Sequence, residues 1–76
     1  MLEELQEIYE DTLGVHDYTL SPKDKINNIP GLTSIGMINL ICAIEDHFDI
    51  EISNKQLTSF KTVKDIADFL EKRRQQ

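Results

Sequence analysis

An all-α fold is predicted: a small four-helix bundle of three longer helices and one short one, with a long ordered loop between helices 1 and 2. Three features of the 76-residue sequence predict it. Apolar residues recur at helical spacing in three segments, polar capping residues stand where each later helix would start, and one aperiodic stretch of turn-forming residues is studded with apolar anchors.

The first helix is predicted from Leu2 to about Gly14. Leu2, Leu5, Ile8, Tyr9 and Leu13 share one face, Glu3, Glu4, Glu7, Glu10 and Asp11 the other, and Gly14 ends it because glycine accepts a left-handed C-cap. Val15 to Leu32 shows no sustained period and contains Asp17, Ser21, Pro22, Asn27, Asn28, Pro30 and Gly31, all turn formers. Val15, Tyr18, Leu20, Ile26, Ile29 and Leu32 are enough apolar anchors to hold this loop over the core, with a short turn of helix expected near Pro22 to Ile26.

The second helix is predicted from Ser34 to Phe48, with the Thr33 hydroxyl as its N-cap. Ser34 then stands at the first helical position, a hydroxyl beside the positive end of the helix dipole, where a phosphate ester is tolerated. At 100° per residue the helix carries two apolar lines. Met37, Leu40, Ile41, Ile44 and Phe48 form the core face, while Ile35, Ile38 and Cys42 form a second line, displaced by about a third of a turn and leading away from Ser34. Periodicity alone leaves two readings of that line open: a wide buried face, or a docking strip beside the serine. Glu45, Asp46, Asp49 and Glu51 crowd the helix end, where carboxylates oppose the dipole at about 0.3–1 kcal/mol each when exposed. Such a locally unfavourable choice hints at function, against the plainer reading of a solvated acidic end.

Ile50 and Ile52 flank Glu51 in a short extended link. Ser53 to Gln56 fits a capping box that opens a short helix to about Ser59, with Leu57 facing inward. Thr62 and Asp65 repeat the pattern with Asp in place of Glu and open the last helix, whose Val63, Ile66, Ala67, Phe69 and Leu70 face the core. Lys72, Arg73 and Arg74 complement its C-terminal dipole, and Gln75 and Gln76 are expected to fray.

One small domain over residues 1–76 is all that this length predicts, with a single modest core. The net charge of -6 argues against nucleic acid and anionic membranes as partners and toward basic protein surfaces. A helix-turn-helix DNA binder fails on the same ground, since only the extreme C-terminus is basic. Cys42 is the single cysteine, so an intramolecular disulfide and a cysteine zinc site are both excluded and a reducing compartment is expected. No apolar run is long enough for membrane insertion, and the acidic start is unlike a signal peptide, which points to a soluble cytoplasmic domain; a monomer is expected. No catalytic set is present: His16 and His47 have no neighbour that makes a nucleophile–base pair, and each is expected at the surface. Asp46, Asp49 and Glu51 lack the spacing and central glycine of a calcium loop, and the three glycines make no phosphate cradle.

The helix order, together with Gly31-Leu32-Thr33-Ser34-Ile35 and the segment Ala43-Ile44-Glu45-Asp46-His47-Phe48-Asp49-Ile50-Glu51-Ile52, resembles the acyl carrier protein family over essentially the whole chain. The resemblance implies a stand-alone carrier, not an enzyme, with 4'-phosphopantetheine attached covalently to Ser34 from coenzyme A and acyl or aminoacyl groups held as thioesters on its thiol. By position, Ile35, Ile38 and Cys42 would face partners, Glu45 and Asp46 would meet basic patches, and Met37, Leu40, Ile41 and Ile44 would line an interior that can shelter an acyl chain. The implied partners are a phosphopantetheinyl transferase, an acyl- or aminoacyl-loading enzyme, and a ketosynthase or other acyl-transferring enzyme of fatty-acid, polyketide or related biosynthesis. Thr33 replaces the family's usual Asp before the serine, and Gly36 and Asn39 stand where fatty-acid members usually carry acids. These departures favour a specialised pathway, with Gly36 offering close approach to a partner or to the arm. The alternative from a different class is an unmodified helical module that grips a partner with the Ile35, Ile38, Cys42 strip.

Overall fold

The computed structural model describes residues 1–74; the expected fraying at Gln75 and Gln76 lies outside the described residues. Among the described residues the order is α1 (Leu2–Leu13), a 3-10 helix (Ile26–Asn28), α2 (Ser34–Phe48), α3 (Asn54–Ser59) and α4 (Val63–Arg74), the all-α arrangement the sequence predicts. Gly14 closes α1 in the left-handed region at φ 68°, its N–H donating to the Glu10 carbonyl.

Local capping chemistry sets the later helix starts. Thr33 is extended and its hydroxyl accepts from the Gly36 N–H. Ser53 and Gln56 form the reciprocal capping box, and α3 follows from it. At α4 the Asp65 N–H donates to the Thr62 hydroxyl while the Asp65 carboxylate accepts from the Thr62 and Lys61 N–H groups. Those backbone donors, Lys61 first and then Thr62, hold the Asp65 carboxyl below the usual carboxylate range.

α2 packs most extensively against α1. Leu5, Ile8 and Tyr9 of α1, Leu40, Ile41 and Ile44 of α2, and Val63, Ile66 and Leu70 of α4 meet in one core, which Phe60 joins from the α3–α4 link. Tyr9 and Ile44 are wholly enclosed, at 0% exposure. Fully burying an aliphatic side chain of this size contributes about 1.5–3 kcal/mol, so this cluster holds the bundle together. Met37 and Phe48, expected on the core face, are half-buried at its margin, as are Phe69 and Leu57. α3 itself buries no residue fully; the ring of Phe60, one position past its end, does so instead and packs edge-on to Phe69 at 5.4 Å.

The long loop is ordered, through the anchors the sequence nominates and through a clamp it does not announce. Leu20, Ile26 and Ile29 are buried; Val15, Tyr18 and Leu32 are half-buried. The Gln6 side-chain amide donates to the Tyr18 carbonyl at 2.9 Å and accepts from the Leu20 N–H at 2.7 Å, tying the loop to α1. The helical turn expected near Pro22 to Ile26 is displaced: a simple turn lies at Pro22 and Lys23, and the 3-10 helix begins only at Ile26. The cause is long-range. The Ile26 N–H donates to the Lys61 carbonyl, and the Val63 and Lys64 N–H groups donate to the Asp24 and Pro22 carbonyls, so this part of the loop lies extended and caps α4.

Candidate functional site

Ser34 is exposed at the first position of α2. The loop before it is pinned from below. The Tyr9 hydroxyl donates to the Pro30 carbonyl at 2.6 Å, and burial pushes that phenol above the usual tyrosine range. The Leu32 N–H donates to the Ile29 carbonyl. Thr33 then turns the chain into the helix, its hydroxyl taking the Gly36 N–H and its carbonyl the Met37 N–H. Among the described residues no protein group accepts from the Ser34 and Ile35 amides, so the helix start keeps donors next to the exposed hydroxyl.

Gly36 has a different role from the one expected of it. It is buried, and a Cβ added there would stand 1.9 Å from the Gly31 carbonyl oxygen. The close approach that glycine permits is made by the chain's own loop, not by a partner or an arm. Gly31 turns at φ 84°, and its carbonyl fills the space that a side chain would occupy.

The two apolar lines of α2 are resolved by packing. Leu40, Ile41 and Ile44 are in the core, with Met37 half-buried beside them. Ile35 is 73% exposed, Ile38 57% exposed, and Cys42 is exposed as well. Ser34, Ile38, Cys42 and Asp46 follow one another at four-residue intervals, one turn apart on a single face. No charged side chain occurs anywhere from Ile26 to Ile44, so the surface of this helix around the serine is neutral.

The acidic end of α2 divides into structural and free groups. Glu45 is half-buried and its carboxylate accepts from the Ile52 N–H at 2.8 Å, which fastens the Ile50–Ile52 link to the helix. Asp49 occupies the left-handed C-cap position at φ 54°, with the Ile50 N–H donating to the Glu45 carbonyl. Of the four carboxylates that read as a hint of function, only that of Glu45 thus serves the helix end; Asp49 serves it through its backbone, and Asp46, Asp49 and Glu51 are exposed.

His16 and His47 are exposed. His47 lies thirteen residues beyond Ser34, about 20 Å along the helix, and cannot act as its base. Two clefts lie away from Ser34: one of about 550 Å³ is bounded by Phe60, Asp65, Phe69 and Lys72, and one of about 350 Å³ by Glu4, His47, Phe48 and Arg73. Among the described residues no group of His, Cys, Asp and Glu is arranged to hold a metal ion, and no helix is long and apolar enough to cross a membrane.

The chain is thus a small helical bundle that exposes a hydroxyl at a helix start with an uncharged strip beside it. Residues 3–70 match the family described as "Phosphopantetheine attachment site". The acyl carrier protein of Coprothermobacter proteolyticus is 32% identical over 71 residues, 93% of this chain and 87% of that one. That of Syntrophobacter fumaroxidans is 35% identical over 66 residues, 87% of this chain and 82% of the relative. The solution NMR structure of holo acyl carrier protein from Geobacter metallireducens is 28% identical, with a TM-score of 0.85 over 93% of this chain and 82% of that chain. The chain belongs to the acyl carrier protein family, whose cofactor is phosphopantetheine and whose members carry rather than catalyse.

Proposed function

We propose that Ser34 is the residue that bears 4'-phosphopantetheine, and that residues 1–76 act as one carrier domain that passes acyl or aminoacyl groups between enzymes. The observation that carries the reading is the exposed Ser34 hydroxyl at the start of α2, beside two amides with donors to spare. These groups suit a phosphodiester: the Ser34 and Ile35 N–H groups and the positive helix end stabilise its charge. When bound, the arm supplies a thiol that holds cargo as a thioester. Ser34 has no base of its own in reach, so its activation falls to the phosphopantetheinyl transferase.

Ile35, Ile38, Cys42 and Asp46 form the face offered to that transferase, to a loading enzyme and to a ketosynthase or other acyl-transferring enzyme. Glu45 contributes to it with only part of its carboxylate, the rest being engaged by Ile52. A carried acyl chain finds shelter among Leu40, Ile41 and Ile44 by opening their packing past Met37, the half-buried residue at the edge. Thr33 and Asn39, exposed and uncharged where many carriers of fatty-acid synthesis have acids, favour a carrier of a specialised pathway, whereas Gly36 is set by its packing against the Gly31 carbonyl.

Co-expression with a broad-specificity transferase, followed by intact-mass measurement, tests the attachment site. The wild type gains the mass of the arm and Ser34→Ala does not; a gain that survives the substitution moves the site elsewhere. Exposure of Ile35 and Ile38 would equally suit an unmodified module that grips a partner. Partner binding that is undiminished by Ser34→Ala, with no mass gain in the wild type, would favour it.

A further inference from the structure

Among the described residues that form the buried core, Tyr9 alone carries a polar side-chain atom; the rest are aliphatic or phenylalanine. Packing by itself does not call for that hydroxyl, because its desolvation about cancels what one hydrogen bond contributes, and a phenylalanine ring would fill the same space. What the hydroxyl adds is a fixed point, in a wholly enclosed part of the core, for a loop residue twenty-one positions on: it donates to the Pro30 carbonyl at 2.6 Å. Burial holds the phenol above the usual tyrosine range, so it remains a donor at neutral pH. From Pro30 the constraint runs unbroken to the helix start. The proline ring fixes its own φ, Gly31 follows at φ 84°, and the Gly31 carbonyl fills the space over Gly36 in the first turn of α2. Between them the Leu32 N–H donates to the Ile29 carbonyl, and Thr33 accepts from the Gly36 and Met37 N–H groups. Ser34 is exposed, and among the described residues its hydroxyl makes no hydrogen bond, so this backbone sets where its oxygen stands.

From these contacts we infer that Tyr9 is a positioning residue for the modification of Ser34: its hydroxyl sets the Pro30–Gly31 peptide and, through the Gly31–Gly36 contact and the Thr33 cap, presents the serine oxygen to the transferase in one geometry. The inference rests on the assignment of Ser34 as the residue that bears the arm. In the transfer the Ser34 oxygen forms a bond to the phosphorus that carries pantetheine as the phosphoanhydride bond of coenzyme A breaks. Adenosine 3',5'-bisphosphate leaves with the electron pair, and the serine proton passes to a base of the transferase. Such a displacement is sensitive to placement, a shift of about 1 Å costing as much as about 100-fold in rate. Without the phenol the Pro30 carbonyl turns to find another donor, and Gly31, whose carbonyl bears on Gly36, turns with it. Tyr9 is fully enclosed and touches no partner, so docking is unaltered and the chemical step is slowed.

Tyr9→Phe removes the hydroxyl and keeps the ring. With the unmodified chain, coenzyme A and a purified broad-specificity phosphopantetheinyl transferase, the expected result is a kcat lowered by about 5- to 10-fold, with KM for the chain changed by less than about 2-fold. Hydrogen exchange read by NMR quickens by about 3- to 10-fold at the Leu32, Gly36 and Met37 amides, which bond within this turn, and not at the Leu57 amide, which bonds to the Ser53 carbonyl at the start of α3. Ile66→Val, which trims a buried side chain of α4 and lowers global stability, is the control. It leaves kcat within about 2-fold, whereas a merely structural role for Tyr9 makes the two variants behave alike. Unaltered kcat in Tyr9→Phe, an equal loss in Ile66→Val, a loss confined to KM, or exchange that quickens equally at Leu57 would overturn the inference. If the wild type gains no arm under conditions that modify a control carrier, the Ser34 assignment fails on its own. Exchange in the unmodified chain then still judges Tyr9: faster rates confined to Leu32, Gly36 and Met37 support its hold on the helix start, and unchanged rates refute it.

Discussion

Replacing Gly36 by alanine separates local helix preference from tertiary packing, because the two predict opposite signs. In a helix interior, Gly→Ala gains about 1 kcal/mol from backbone entropy and propensity. Here the new Cβ would lie 1.9 Å from the Gly31 carbonyl oxygen and 3.1 Å from its carbonyl carbon. An ordinary carbon–oxygen contact is about 3.3 Å, so the two backbones must separate by more than an ångström. Little in the loop can yield. Pro30, the preceding residue, is held by the Tyr9 hydroxyl at 2.6 Å, and Thr33 caps the helix through the Gly36 N–H itself. Overpacking of this kind costs about 1–3 kcal/mol, and loosening one hydrogen bond adds about 1 kcal/mol. Set against the propensity gain, the net expectation is a destabilisation of about 1–3 kcal/mol, or a Tm lowered by about 4–24 °C for a domain this small. Urea and thermal unfolding followed by far-UV circular dichroism measure it. A variant that melts at or above the wild-type temperature would refute the packing account and leave helix propensity in charge of this position.

Other outcomes follow from the same contacts. Gln6→Ala should lower stability by about 1–2 kcal/mol in urea unfolding, since it leaves the Leu20 N–H and the Tyr18 carbonyl without their partner, and should speed proteolysis within Val15 to Leu32. Asp49→Gly should raise stability by about 0.5–1 kcal/mol, by relieving a left-handed non-glycine residue and removing a carboxylate from the negative end of the α2 dipole; an unchanged urea midpoint would count against strain there. Asp65 has a carboxyl held below its unfolded value by the Lys61 and Thr62 amides, so its stabilisation is present above the ordinary carboxylate range and is lost as pH falls through the folded value. The stability gap between the wild type and Asp65→Asn should therefore be open at neutral pH and close on acidification, as read from unfolding curves at a series of pH values.

The sequence by itself determined the helices and their starts, because caps and periodicity are local. Thr33, Ser53 with Gln56, and Thr62 with Asp65 each make the hydrogen bonds their spacing predicts. Leu40, Ile41 and Ile44 lie in the core for the same reason: residues three and four apart on a helix share a face wherever that helix goes. The serine at the head of α2 was legible too, since its position depends only on the cap beside it. The tertiary structure decided what depends on segments distant in the chain. Ile35, Ile38 and Cys42 could have been buried or open on periodicity alone, and only the placement of the other elements leaves them exposed. Glu45 looked free until the link after α2 folded back to bring the Ile52 amide to its carboxylate. Gln6 carried no signal at all, because a side-chain amide becomes a clamp only when a loop residue twelve or fourteen positions away arrives with a matching carbonyl and N–H. Gly36 read as a weak point in a helix, and the Gly31 carbonyl packed against it makes it the position where the loop meets the helix that presents Ser34.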